Sequence, residues 1–377
     1  MNDPRLTELA QLLANYSLDL QPGQRVLIEW FGTEPAALVH AMVAAATRRG
    51  AVPVWQHGDD RFVRTLLLEG TEAQVKAFGA LQLQQMKQFD AYVAFRGSDN
   101  IFEMSDVPPE RRQWYLQHVQ KPVHLEQRVK HTRWCVLRYP NAAMAQLAET
   151  SCERFADHYF KAVLFDYARF REAMRPLQAL MQQTDRVRIT APGTDLTFSI
   201  KGIPAMECDG TMNLPDGEVF TAPVRDSIQG TIRYNTPSPY QGRLFQRVGF
   251  TFRNGQIVEA SCEGDQAALQ RVLDTDPGAR YVGEFAVGFH PWIREPIKDI
   301  LFDEKIAGSI HLTPGQCYDE APNGNQSAVH WDLVLIQRKE YGGGELYFDD
   351  RLVRKDGHFV LPELAGLNPE AFGAPAC

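Results

Sequence analysis

Between Leu301 and Leu333 the chain reads LFDEKIAGSIHLTPGQCYDEAPNGNQSAVHWDL, and His311, Tyr318, His330 and Asp332 within it can all bind a divalent cation. Two carboxylates upstream stand out as well. Glu218 lies in NLPDGEVFTAPV, a proline-and-glycine turn leading into a β run, and Glu284 follows a glycine inside the apolar run RYVGEFAVGF. A carboxylate within an apolar strand is costly to desolvate unless it is paired or coordinates a metal. Taken singly, either glutamate reads as a solvent-facing strand residue and His311 as a hydrogen-bonded core histidine. Taken together, in one β-rich region, they read as a metal site. His330 and Asp332 are two residues apart, so on a strand they share a face. Carboxylates with only two imidazoles suit two hard or borderline divalent ions better than one zinc in a thiolate cage. Paired ions about 3.5–4 Å apart activate a water and clamp both ends of a displacement, which makes hydrolysis the expected reaction class.

The composition limits what that hydrolase acts on. A net charge of -8 and a pI near 5.7 exclude a general nucleic-acid or anionic-membrane binder, which needs a basic face. A nuclease is therefore the weakest of the two-metal readings. The longest apolar stretches, 36–46 and 299–306, fall far short of the roughly 20 residues that cross a bilayer. The first twenty residues, MNDPRLTELAQLLANYSLDL, carry neither a basic n-region nor an apolar h-region, so a cytoplasmic location is expected. The six cysteines have no CxxC spacing, which implies reduced and mostly buried thiols.

The elements that must position these residues fall into two textures. From the N-terminus, helical spacing over 6–16 gives way to strand 25–30, helix 34–48 and strand 52–55, a β-α-β unit that implies a right-handed crossover and a parallel sheet. Helix 72–88, strand 90–95, helix 108–119 and strand 133–138 continue the pattern. The turn after the first strand, EWFGTEPAAL, lacks the G-x-G-x-x-G spacing of a dinucleotide site. Residues 140–184 are helical in period. Beyond them come short alternating strands at 187–190, 196–200 and 249–252, a hairpin signal at Asn254-Gly255 and one helix over 265–273. The expected architecture is an α/β domain over 1–184, with a Rossmann-like parallel sheet, followed by a mainly antiparallel β catalytic domain over 185–377.

The segments NLPDGEVFTAPVRDSIQGTI, ARYVGEFAVGFHP, LFDEKIAGSIHL and SAVHWDLV resemble, in the same order, the signature segments of the aminopeptidase T and aminopeptidase S family of two-metal exopeptidases. The resemblance spans the second domain, and the first is similar to that family's N-terminal domain. It implies metal ligands at Glu218, Glu284, His311, Tyr318, His330 and Asp332, with Glu218 and Glu284 bridging. It further implies homodimers whose sites face an enclosed cavity, short peptides as substrates with broad, often leucine-leaning specificity, and cobalt, zinc or magnesium as the ions.

Hydrolysis needs a base for the water's proton. Glu284 and Glu304 are the candidates, the latter also readable as a surface ion pair with Lys305 or Lys298. Tyr318 either ligates as phenolate or donates to the tetrahedral oxyanion. Pro314 and Cys317 depart from the family pattern, and only 11 residues separate Tyr318 from His330. His290 and Trp292 read as packing residues that could also line the pocket. Two other readings compete: a metal- and peptide-binding homologue without turnover, and a two-metal hydrolase of another ester or amide, for which only Arg225 and Arg294 stand near enough to hold a phosphate.

Overall fold

The computed structural model describes residues 3–377. Contacts divide the chain into two compact units, one made of the chain up to Leu164 with Gly210–Leu214, the other of Phe165–Asp209 with Pro215–Cys377.

The first unit is built on a parallel sheet in the order Val52–Gly58, Arg25–Phe31, Ala91–Arg96, Arg133–Arg138, Asn213–Leu214. Ala91–Arg96 is buried at its first five positions, as expected for a strand covered on both faces. The helices Ala36–Arg48 and Glu72–Met86 cross over between strands as expected, the latter opened by a Thr71/Gln74 capping box. A further helix, Asp60–Glu69, is N-capped by Asp59. The helix expected over 108–119 starts as Pro109–Tyr115 and continues as a wider π-helical winding, Leu116–Arg128, with Pro122 inside it.

The division at Leu164 differs from the boundary expected at 184. The apolar stripe of helix Tyr167–Gln183, which runs through Tyr167, Phe170, Met174, Leu177 and Met181, is buried against the strands Met206–Cys208 and Glu218–Thr221. That helix therefore belongs with the second unit, although its period matches the helices before it. Conversely, Asn213–Leu214 returns to complete the first sheet.

The second unit carries two antiparallel sheets. The nine-stranded one includes the hairpin Arg243–Arg253/Gln256–Glu263, turned by Asn254 and Gly255 at φ 49° and 77°. The five-stranded one runs Leu333–Ile336, Ser309–Pro314, Val282–Gly288, Glu218–Thr221, Met206–Cys208, and it is the sheet that holds the site. A parallel α/β unit followed by an antiparallel β unit is the architecture the sequence pattern implies. No helix among the described residues is long and apolar enough to cross a membrane.

Candidate metal centre

Strand register gathers the site. Gly288 pairs with Glu218, Glu284 with Thr313, and Ala286 with both Phe220 and His311, so Glu218, Glu284, His311 and Thr313 share one face of the five-stranded sheet. Alanine and glycine at 286 and 288 keep the middle of that face open. Val334 pairs with His311, and Asp332, two residues earlier, points to the same side. The chain enters the Glu218 strand through Gly217 at φ 148°, where a Cβ would stand 2.8 Å from the Phe170 ring. Only glycine fits that entry.

Tyr318 and His330 flank a loop that is pinned rather than free. Asn325 donates to the carbonyls of Gly278 and Gly315, and Asn323 donates to those of Pro223 and Val282. The Cys317 thiol donates to the Asn325 carbonyl, a structural role. The six cysteines form no disulfide among the described residues.

The donor atoms form two triads that share one residue. Glu218, Glu284 and His311 make the first; Glu284, His330 and Asp332 make the second. Oε1 of Glu284 lies 3.4 Å from His311 Nε2, and its Oε2 lies 3.4 Å from His330 Nε2, which is itself 3.3 Å from Asp332 Oδ1. His311 Nδ1 is 3.6 Å from Glu218 Oε2. These separations exceed an ordinary N–H···O hydrogen bond. The separations around Glu284, His330 and Asp332 match instead the edge of a tetrahedron around an ion with bonds of about 2.1 Å, which is roughly 3.4 Å, while His311 can offer a given ion only one of its two nitrogens. Glu218 Oε2, His311 Nδ1 and His330 Nε2 are buried without a hydrogen-bond partner among the described residues, as befits atoms that ligate an ion. The residues present fit a divalent metal.

The surroundings orient these ligands. His330 Nδ1 lies 2.9 Å from the Gln316 carbonyl, which selects the tautomer with its proton on Nδ1 and turns the Nε2 lone pair toward Glu284 and Asp332. Thr313 Oγ1 donates to Asp332 Oδ1 across 2.7 Å. Burial opposes ionisation of Asp332, yet His330 and Thr313 hold its carboxyl well below the usual carboxylate range. Burial likewise opposes a charged His311, but Glu218 and Glu284 outweigh it and raise the imidazole to about 10. Without a metal, the excess negative charge is met by protons.

One residue of the site is inconspicuous in the sequence. Lys305 Nζ, 1% exposed, lies 2.6 Å from Glu218 Oε1, 2.7 Å from Glu304 Oε1 and 3.4 Å from Asp216 Oδ1. The Glu304–Lys305 pair is thus a buried ion pair, not a surface one. Burial raises the Glu304 carboxyl to about 8, with Glu218 and Asp332 adding to the rise and Lys305 opposing it. A Glu304 oxygen lies within 4.8 Å of donor atoms on His311 and Asp332. The Tyr318 ring sits 4.9 Å from that of His330 and 5.4 Å from that of Phe220. Its hydroxyl has no hydrogen-bond partner among the described residues. Beside His330 and Asp332 opens a cavity of about 100 Å³ walled by Tyr240, Ile300, Trp331 and Val334. His290 is fully buried among the rings of Phe165, Tyr167 and Phe170, a packing role. Arg225 stacks on Tyr281 and donates to Asn325, while Arg294 donates to the carbonyls of Pro375 and Ala376.

Two carboxylate–imidazole triads joined by one glutamate, on an antiparallel sheet of the second unit, fit divalent metal and the hydrolytic chemistry such metal supplies. The comparisons with known proteins are more particular. A family model described as thermophilic metalloprotease (M29) matches residues 2–359, and the chain belongs to that family. Aminopeptidase T of Thermus aquaticus is 28% identical over 378 residues, covering 88% of this chain and 92% of that protein. Aminopeptidase 2 of Geobacillus stearothermophilus is 26% identical over 407 residues, covering 94% and 95%. Among solved structures, wild-type AmpT from Thermus thermophilus aligns with a TM-score of 0.79 at 24% identity, over 95% of this chain and 99% of that one. A 2,5-dihydroxypyridine dioxygenase from Pseudomonas putida KT2440 aligns with a TM-score of 0.59 at 14% identity, over 96% and 98%. The fold is therefore shared with a protein named for a different reaction, and the reading of function has to come from the residues of the site.

Proposed function

We propose that this protein is a metal-dependent aminopeptidase that releases N-terminal residues from short peptides with two divalent ions of zinc, cobalt or magnesium. The observation that carries this reading is Glu284, whose two oxygens face the two histidines of separate triads. Charge supports a pair of ions. Asp216, Glu218, Glu284, Glu304 and Asp332 gather around the ammonium of Lys305, and divalent cations bound there would offset the carboxylate charge.

Glu218, Glu284, His311, His330 and Asp332 would hold the ions, with Glu284 shared. Ions bound there lower the pKa of water and polarise the scissile carbonyl. With Glu284 engaged by both triads, Glu304 is the carboxylate left to accept the proton of the attacking water and return it to the departing amine as the C–N bond breaks. Tyr318, with its free hydroxyl, donates to the oxyanion rather than serving as a ligand. The cavity beside His330 and Asp332 takes the side chain of the N-terminal residue. The Thr236 and Ser238 hydroxyls on its wall are engaged by Val334 and Trp331, and the Asp303 carboxylate there accepts from the Ile297 and Lys298 amides, so Tyr240, Ile300, Trp331 and Val334 supply its apolar surface. Homodimers in the cytoplasm complete the proposal.

The competing two-metal phosphoesterase reading lacks a phosphate clamp, because Arg225 and Arg294 are both engaged internally. Release of free amino acid from di- and tripeptides and from leucine-p-nitroanilide, with chelator and with metal restored, tests the proposal against an inert binding homologue. Turnover of a phosphate ester in place of peptides would favour the phosphoesterase.

A further inference from the structure

One face of the parallel sheet in the first unit carries a polar cluster that the metal chemistry does not use. Register sets Glu29 beside Gln56 and Ala94, and Tyr92 beside Leu27 and Trp134, so Glu29, Gln56, Tyr92, Arg96 and Trp134 project from the same face. The π-helical stretch Leu116–Arg128 adds His124 and Arg128. The His124 ring lies 6.4 Å from that of Tyr92, and the Arg128 guanidinium lies 5.4 Å from the Tyr92 ring and 4.3 Å from the Trp134 ring.

The donors of this cluster lack acceptors. Arg128 is 7% exposed, and its guanidinium hydrogen-bonds to no described residue; Nε and Nη1 are enclosed. His124 Nδ1 and Trp134 Nε1 are also enclosed without a partner. Arg96 makes no side-chain hydrogen bond among the described residues either. A buried arginine normally meets a carboxylate or several carbonyls. Among the described residues the carboxylate acting on Arg128 is Glu29, and its oxygens already accept from the Tyr92 hydroxyl at 2.5 Å and Gln56 Nε2 at 3.4 Å. Burial raises the Glu29 carboxyl and pushes the His124 imidazole down to about 3, the latter helped by Arg128 and Arg96. Two guanidinium groups therefore face one carboxylate.

We propose that this cluster is a binding site for one small oxyanion of the phosphate type, held by Arg128 together with the N–H groups of His124 and Trp134. Each unfilled group can act as a donor, so the missing partner is an acceptor with several oxygens, and the unbalanced positive charge makes it an anion. Donors spread over a guanidinium, an imidazole and an indole suit a tetrahedral oxyanion better than the two coplanar oxygens of a carboxylate. Local π-helical winding is itself a recurrent feature of ligand sites, because it moves side chains off the α-helical spacing.

Titration calorimetry on the full-length, metal-loaded protein with inorganic phosphate, acetate and matched chloride tests this. The expected result is a saturable phosphate component near one per chain that Arg128→Met abolishes, with acetate weaker and chloride silent. Trp134→Phe keeps a ring over the guanidinium but removes the indole N–H, and should weaken phosphate by roughly 3- to 10-fold, the worth of one hydrogen bond. That variant carries the test if Arg128→Met does not fold, and it separates this site from phosphate taken up at the metals. Unchanged phosphate affinity in Trp134→Phe, acetate binding tighter than phosphate, or no saturable uptake would overturn the proposal.

Discussion

Lys305 donates to Oε1 of Glu218 across 2.6 Å, and the two side chains are 1% and 5% exposed. Glu218 thus spends one oxygen on an ammonium and turns the other, Oε2, toward His311. Removing one partner of a buried ion pair leaves an uncompensated charge, at a cost of about 3–5 kcal/mol. Lys305→Met should therefore destabilise the chelated protein by about that amount and the metal-loaded protein by less, since the ions supply the missing positive charge. Denaturant unfolding with and without chelator measures both. Equal stability of variant and parent in chelator would contradict the arrangement.

The Thr313 hydroxyl donates to Asp332 and hydrogen-bonds to no other candidate ligand among the described residues. Thr313→Val preserves shape but removes the hydrogen bond that orients the carboxylate, and groups of this kind are typically worth 10- to 100-fold in metal affinity or activity. A competitive metal titration should show a loss of that order with unchanged unfolding in chelator. Unaltered metal affinity would mean that Asp332 is oriented by His330 alone.

The two candidate bases separate by substitution. Glu284→Gln disrupts both triads, so bound metal per chain should fall along with turnover, by 10³-fold or more. Glu304→Gln should keep the metal content and lose turnover by roughly 10²–10⁴-fold, as expected for a general base. Metal analysis beside steady-state kinetics checks the pair; full activity in Glu304→Gln would return the role to Glu284.

Acid sensitivity should show in the first unit. The folded pKa of His124, about 3, lies below the ordinary 6.5 because burial disfavours the cation. The stability it contributes is present above pH 6.5 and is lost as pH falls toward 3, at most about 1.4 kcal/mol per pH unit. Measured between pH 6.5 and 5 in buffer without phosphate, His124→Phe should unfold with a shallower dependence on pH than the parent. Parallel curves would place His124 in water.

Much of this was legible in the residues, for identifiable reasons. Glu218, Glu284, His311, His330 and Asp332 are conspicuous as polar groups in apolar runs, and two-residue spacing carries the face they share. Lys305 is not conspicuous. A lysine in FDEK reads as solvated, and only the fold reveals that Asp216, Glu218 and Glu304 converge on it. The strand Asn213–Leu214 pairs with residues some 75 positions away, a contact that leaves no local periodicity. Helix Tyr167–Gln183 shows its apolar stripe plainly, but a stripe does not say which sheet will cover it. Pro122 inside Leu116–Arg128 argues for a helix end by local rules, whereas the chain continues in a wider winding.

We propose that this one sheet holds two ions which together hydrolyse an N-terminal peptide bond. The most direct test is release of the N-terminal residue from a short peptide by protein stripped with chelator and titrated with zinc, cobalt or magnesium. The expected result is no release from the stripped protein and a return that saturates at two equivalents per chain. Release indifferent to chelator, or a return complete at one equivalent, would contradict it.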